Sequence, residues 1–181
     1  MESISVLYYH MGGGTYHKVI KYTNSNGNIS LLEAGPQDKL TGLFMGPIVK
    51  YPERNYTSIN NFTEDPMYAN SPTEILLTGS DLSDKWKLIN RGMDVISNGS
   101  TSYFLLGMNS NYAADFALLY AGLDAPGWDV LDYYCPGSIN IENGALLGAP
   151  DDDAGFVPIS NMRDISALGI KSLLILLGAV S

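Results

Sequence analysis

The spacing of apolar residues changes several times along this chain, and the changes divide it into elements. Residues 3–9, SISVLYY, are β-branched and aromatic and predict a strand. Residues 17–34, HKVIKYTNSNGNISLLEA, place two apolar runs on either side of NSNG, a strong turn signal, and predict a β-hairpin. From Gly35 to Pro72 the chain is rich in Gly, Pro, Asn and Tyr, which predicts loop with a short strand or two near LFMGPIVKY. We read 37–80 as an irregular lid or binding-loop region, since long irregular stretches in compact domains carry such roles. The period then lengthens. Trp86, Leu88, Ile89, Met93 and Ile96 form one apolar face of a helix over 83–97, capped by Asp81 or Ser83 and ended by Asn98-Gly99. TSYFLLG, 101–107, reads as a buried strand. Residues 110–121 read as a helix ended by Gly122, its face made of Tyr112, Phe116, Leu119 and Tyr120, with alanines between that permit close packing. Beyond it, LDYYC predicts a strand, APDDDAG an acidic loop, and 163–178 a helix or a strand. This order predicts an α+β fold, a mainly antiparallel sheet with packed helices, in a single domain over 1–181.

Composition narrows the function. The 181 residues are 45% apolar, enough for one sizeable core. Nineteen Asp and Glu against ten Lys and Arg give a formal net charge of −9. Phosphate backbones are repelled by such a chain, and no basic stripe offsets the charge, which argues against a nucleic-acid partner. A lone cysteine, Cys135, excludes an internal disulfide framework and any zinc site built on several cysteines. His10 and His17 are too few for a histidine-rich metal site. Gly12-Gly13-Gly14 lacks the Lys-Ser/Thr helix start of a phosphate loop, and Asp151-Asp152-Asp153 lacks the spaced ligands and distal Glu of a calcium loop. No cofactor or metal is implied. The N-terminus does not have the build of a secretory signal peptide, and the longest apolar run, SLLILLGAV, is about half of a membrane span. The expectation is no transmembrane segment, in a chain that stays in the cytoplasm, leaves without a cleaved signal, or is part of a longer protein.

Three residues suit joint chemistry. His17 opens the first hairpin strand, Glu33 closes the second, and Ser110 begins a helix. A hydroxyl becomes a good nucleophile when a base takes its proton, and a carboxylate can hold that base in the right tautomer. A helix N-terminus adds N–H groups and partial positive charge that stabilise an oxyanion. Each residue also has an ordinary reading. Ser110 can be the helix N-cap, His17 a plain strand residue, Glu33 a solvated carboxylate, and His10 an alternative base.

The set HKVIKY…NGNISLLEAGP, followed by GMNSNYAADFALLYAGL and APGW, resembles the circularly permuted papain-like hydrolases. These include the lecithin-retinol acyltransferase group, bacterial cell-wall amidases, and domains of secreted bacterial effectors. The resemblance covers roughly 15–36 and 103–128, with Ser110 where that family usually has Cys. It implies a permuted papain-like fold with His17 as general base, Glu33 as its orienting residue and Ser110 as nucleophile. Asn109, Asn111 and the N–H groups of 110–111 would serve the substrate and the oxyanion. It further implies a hydrolase or acyltransferase acting on an amide or ester of cell-wall peptide or lipid. The biological role would be that of a secreted toxin effector met by a cognate immunity protein. The alternative is a catalytically inactive papain-like binding or structural module, for which His17 and Ser110 need not touch.

The hairpin offers an internal test. A two-residue loop, Asn26-Gly27, turns Glu33 to the face opposite His17. A three-residue loop, Ser25-Asn26-Gly27, pairs Asn24 with Asn28 and makes His17 and Glu33 diagonal neighbours on one face.

Overall fold

The structure, a computed structural model, describes residues 1–12, 15–37, 46–99, 103, 109–126, 129–130 and 133–134. The expected strand over 101–107 (apart from Tyr103), the acidic loop, the segment 163–178, Trp128 and Cys135 lie outside these residues.

The fold is α+β with a mainly antiparallel sheet. Its strands are β1 (Glu2–Gly12), β2 (Thr15–Thr23), β3 (Ile29–Leu32), β4 (Ala34–Pro36), β5 (Ile48–Lys50), β6 (Arg54–Tyr56), β7 (Thr73–Gly79), β8 (Asp129–Val130) and β9 (Tyr133–Tyr134). The helices are α1 (Ile59–Thr63), α2 (Ser83–Asn98) and α3 (Ser110–Tyr120). The main sheet runs β6-β3-β2-β1-β7, with β9 parallel to β2 at Thr15 and antiparallel to β8; β4 and β5 form a separate pair. The region 37–80 therefore holds more order than its composition predicts. Among its described residues are three strands and a short helix.

Strand alternation sends side chains to two faces, each with its own core. Ile4, Val6, Tyr8, Ile20, Tyr22 and Leu32 pack against α2 and α3. Leu7, Val19, Ile29 and Leu31 pack with Phe62 of α1 and with Tyr68. This two-sided burial accounts for the nearly continuous apolar runs of β1 and β2.

The helices differ from expectation in which residues they bury. On α2, Trp86, Ile89, Met93 and Ile96 are buried as predicted, but Leu88 is exposed, its place on the inner face being taken by Gly92. A Cβ on Gly92 would stand 2.9 Å from the Tyr120 Cβ and 3.0 Å from the Ala117 Cα, so the missing side chain is what lets the two helices approach. On α3 the buried stripe is Ala113, Ala114, Ala117 and Leu118, whereas Phe116, Leu119 and Tyr120 are half-buried. Tyr112 is buried as predicted, but beside it alanines and Leu118, not Phe116, Leu119 and Tyr120, make the rest of the inner face, because the helices approach closely. The start of α2 is held by Asp81, whose carboxylate accepts from the Ser83 N–H at 2.9 Å. Gly122, at φ +69°, ends α3. Its N–H reaches the Leu119 carbonyl, and that of Leu123 reaches Leu118, the left-handed glycine termination.

Candidate active site

The site begins with the hairpin. Thr23 pairs with Ile29 and Ile20 with Leu32, and the Asn24 N–H meets the Asn28 carbonyl at 2.9 Å. The loop is therefore the three residues Ser25-Asn26-Gly27. Gly27 adopts φ +82°, a conformation that costs a side-chain-bearing residue about 1–2 kcal/mol. The Asn24 side chain fixes the turn by accepting from the N–H groups of Asn26 and Asn28, each at 3.0 Å. Carried one step past Leu32, this register sets Glu33 opposite Val19 and diagonal to His17 on the same face.

At Glu33 the chain leaves the main sheet and continues as β4. The edge of β2 beyond the last β3 pair needs new hydrogen-bonding partners, because buried backbone groups without them are costly. The start of α3 supplies them. The Asn111 side-chain oxygen accepts from the Lys18 N–H at 2.7 Å, and its NH2 donates to the Tyr16 carbonyl at 3.0 Å. One amide thus grips the backbone on both sides of His17, as a neighbouring strand would. Below it, the Lys18 ammonium meets both Asp115 oxygens, at 2.7 and 3.0 Å, and the Pro126 carbonyl; both side chains of this ion pair are fully buried.

These contacts bring Ser110 to His17. The Ser110 Oγ lies 2.8 Å from His17 Nδ1, and His17 Nε2 lies 3.2 Å from Glu33 Oε2. Ser110 is not the helix cap. That role belongs to Asn109, whose side-chain oxygen accepts from the N–H groups of Asn111 at 2.9 Å and Tyr112 at 3.3 Å. Ser110 is the first helical residue, and its hydroxyl faces His17 and Tyr103, with which it is also hydrogen-bonded. The expectation for the two asparagines is revised accordingly. The Asn109 oxygen and the Asn111 N–H are joined in the cap, and the Asn111 amide holds β2, so both hold the structure around Ser110. His10 packs its ring on Tyr16 at 5.1 Å, and the imidazole that meets Ser110 is that of His17.

Glu33 is not solvated; it is 6% exposed and has further partners. Tyr68 donates its hydroxyl to Glu33 Oε1 at 3.1 Å, and Arg54 Nη2 lies 3.5 Å from the same oxygen. Burial alone would push the Glu33 carboxyl up. The hydrogen bond from His17, the charges of His17 and Arg54 and the Tyr68 hydroxyl outweigh it and hold the group below the ordinary carboxylate value. Burial raises the Tyr103 phenol, with hydrogen bonding to Ser110 acting the other way. Tyr103, Tyr68 and Arg54 were not singled out from the sequence. Arg54 and Tyr68 lie in the region read as irregular and Tyr103 in an expected strand, and only the chain's path places them here. Among the described residues no three His, Cys, Asp or Glu side chains gather as a metal-binding group, and no helix is long and apolar enough to cross a membrane.

The arrangement is a hydroxyl, an imidazole and a carboxylate in line. With Glu33 ionised, its oxygen accepts the Nε2–H of His17. The Nδ1 lone pair then faces the Ser110 hydroxyl, the state in which it can take a proton. Comparison with protein-family models, with curated proteins and with solved structures finds no match.

Proposed function

We propose that this chain is a serine-dependent hydrolase or acyltransferase acting on an amide or ester carbonyl. The observation that carries the reading is the 2.8 Å contact between Ser110 Oγ and His17 Nδ1, with Glu33 behind the imidazole and Ser110 at the first position of α3. In this mechanism His17 Nδ1 accepts the hydroxyl proton as Ser110 Oγ bonds to the carbonyl carbon. The resulting oxyanion is stabilised by the positive end of the α3 dipole. The intermediate collapses by breaking the C–N or C–O bond, and the leaving group departs with the proton from His17. Water, or an acceptor hydroxyl or amine, gives its proton to His17 and attacks the acyl-serine; the ester bond to Ser110 then breaks, and Oγ takes the proton back from His17. The contact supports this over an inactive binding module, for which His17 and Ser110 need not lie within hydrogen-bond reach and which a gap above about 6 Å would have favoured.

The order of the parts, a hairpin base and carboxylate before a helix nucleophile, is the order of the permuted papain-like hydrolases. On that scaffold the substrate is cell-wall peptide or membrane lipid, and the biological role is that of a bacterial effector neutralised by an immunity protein. An acidic chain of net charge −9 suits a basic partner surface. The test uses a fluorophosphonate probe on the purified full chain, with the adduct mapped by mass spectrometry. Growth of bacteria expressing the chain in cytoplasm or periplasm is followed in parallel. The reading expects an adduct on Ser110 that is lost in Ser110→Ala and strongly slowed in His17→Ala, with growth arrest following the same pattern. A folded wild type that leaves Ser110 unlabelled overturns it.

A further inference from the structure

The hydrolytic reading names three residues, but the carboxylate at the end of the line is itself gripped by two more. Arg54 lies on β6, the outermost strand in the order β6-β3-β2, and Tyr68 lies in the turn after α1. Both converge on Glu33 Oε1, which leaves Oε2 to His17. Their own positions are fixed. The Arg54 guanidinium stacks 5.2 Å from the centre of the Tyr68 ring, and its Nη1 lies 3.6 Å from Met67 Sδ. The turn that carries Tyr68 is tied to β6 by Asp65, which accepts from the Tyr56 hydroxyl at 2.6 Å and from the Met67 N–H at 2.8 Å.

We propose that Arg54 and Tyr68 are positioning residues that keep Glu33 a carboxylate and so hold His17 in the tautomer whose Nδ1 is unprotonated towards Ser110. The inference rests on the hydrolytic reading for its purpose, though not for its test. A buried carboxyl left to itself gains a proton readily. If Glu33 were protonated, its hydroxyl would donate to His17 Nε2, the ring proton would move to Nδ1, and Ser110 would face a donor in place of a base. The groups that act on Glu33 are few: His17 from β2, Arg54 from β6, Tyr68 after α1 and Tyr51 after β5. Lys21, four residues along on the His17 face of β2, turns its ammonium over the Phe62 ring at 4.6 Å. Arg54 is thus the cation beside Glu33 among the described residues. Its side chain is 43% exposed, so its effect is partly screened by water.

The sign follows from charge. Removing a cation, or a hydroxyl that donates to the carboxylate, raises the proton affinity of Glu33, to which the His17 ring is hydrogen-bonded. The experiment is a pH titration of the imidazole ¹⁵N resonances of the full chain, whose two histidines are told apart with a His10→Asn variant. Wild type is expected to show Nε2–H with an unprotonated Nδ1 at neutral pH. Arg54→Met and Tyr68→Phe are each expected to move the midpoint of the Glu33 titration up by about 0.5–1 pH unit. Arg54→Lys, which keeps the charge, stays near wild type. Tyr68 is fully buried, so the two Arg54 variants decide alone if Tyr68→Phe fails to fold. Unchanged midpoints in folded Arg54→Met, or an equal shift in Arg54→Lys, overturn the proposal. The resonances report whether or not Ser110 reacts, so failure of the clamp and failure of the hydrolase reading are separate results.

Discussion

Replacing Asn111 by Ala should loosen the join between α3 and β2 that sets the Ser110–His17 distance. The substitution removes the acceptor of the Lys18 N–H, a buried group, and the donor to the Tyr16 carbonyl, a half-buried one. A buried donor left unsatisfied costs about 1–3 kcal/mol, and the carbonyl, which water can reach, adds about 1 kcal/mol at most. The helix itself loses nothing, since Ala is the best helix former. The expected total is about 1–4 kcal/mol, or about 2–16 °C in melting temperature for a domain of this size. Urea and thermal denaturation measure it directly. Fluorophosphonate labelling of Ser110 in the still-folded variant should slow by about tenfold or more, because small misplacements of reacting groups have large kinetic effects. Asn111→Asp sharpens the test. One oxygen still accepts from Lys18, but the other is repelled by the Tyr16 carbonyl until it gains a proton. Its deficit against wild type should therefore shrink as pH falls. An Asn111→Ala protein within about 0.5 kcal/mol of wild type, with unchanged labelling, would refute the argument that this amide replaces a strand.

Gly92→Val should destabilise by about 1–3 kcal/mol in thermal denaturation, because its Cβ meets the Tyr120 Cβ and the backbone of Ala117, neither of which can turn aside. Deleting Ser30 keeps the three-residue loop but moves every later residue of β3 by one position, which sets Glu33 opposite Ile20 and sends it to the far face; loss of Ser110 labelling with strand content retained by circular dichroism is the expected result. The lowered pKa of Glu33 contributes stability that is fully present above pH 4.5, its ordinary value, and is lost as pH falls below it through the folded-state value. Glu33→Gln should therefore flatten the fall of the urea midpoint between pH 5 and pH 3, and an identical acid slope in both proteins would count against the carboxylate's network.

Features set by neighbours in sequence were legible. The hairpin follows from NSNG and the alternation around it, which left its loop open between two and three residues; the three-residue loop and the shared face of His17 and Glu33 come from the strand register. The ends of α2 and α3 follow from Asp81, Gly99 and Gly122. What could not be read depends on partners far along the chain. β7 is an outer strand of the main sheet that alternates only loosely between exposed and half-buried residues, so TEILLTG offers no clean period. On α3 apolar size marks Tyr112, which is buried, but not the rest of the inner face, where the close approach at Gly92 selects alanine. Arg54 and Tyr68 reach Glu33 across 21 and 35 positions, and nothing local marks either for that role.

The contact between Ser110 and His17 joins residues 93 positions apart, and Asn111 and Asp115 reach Lys18 across 93 and 97. During synthesis at about 5–20 residues per second, the hairpin with its imidazole and carboxylate precedes the serine by about 5–20 s. The nascent chain can thus complete the pairing of its first strands while still lacking its hydroxyl. The hydroxyl and its imidazole would meet in a single late step, when α3 docks on the edge of β2.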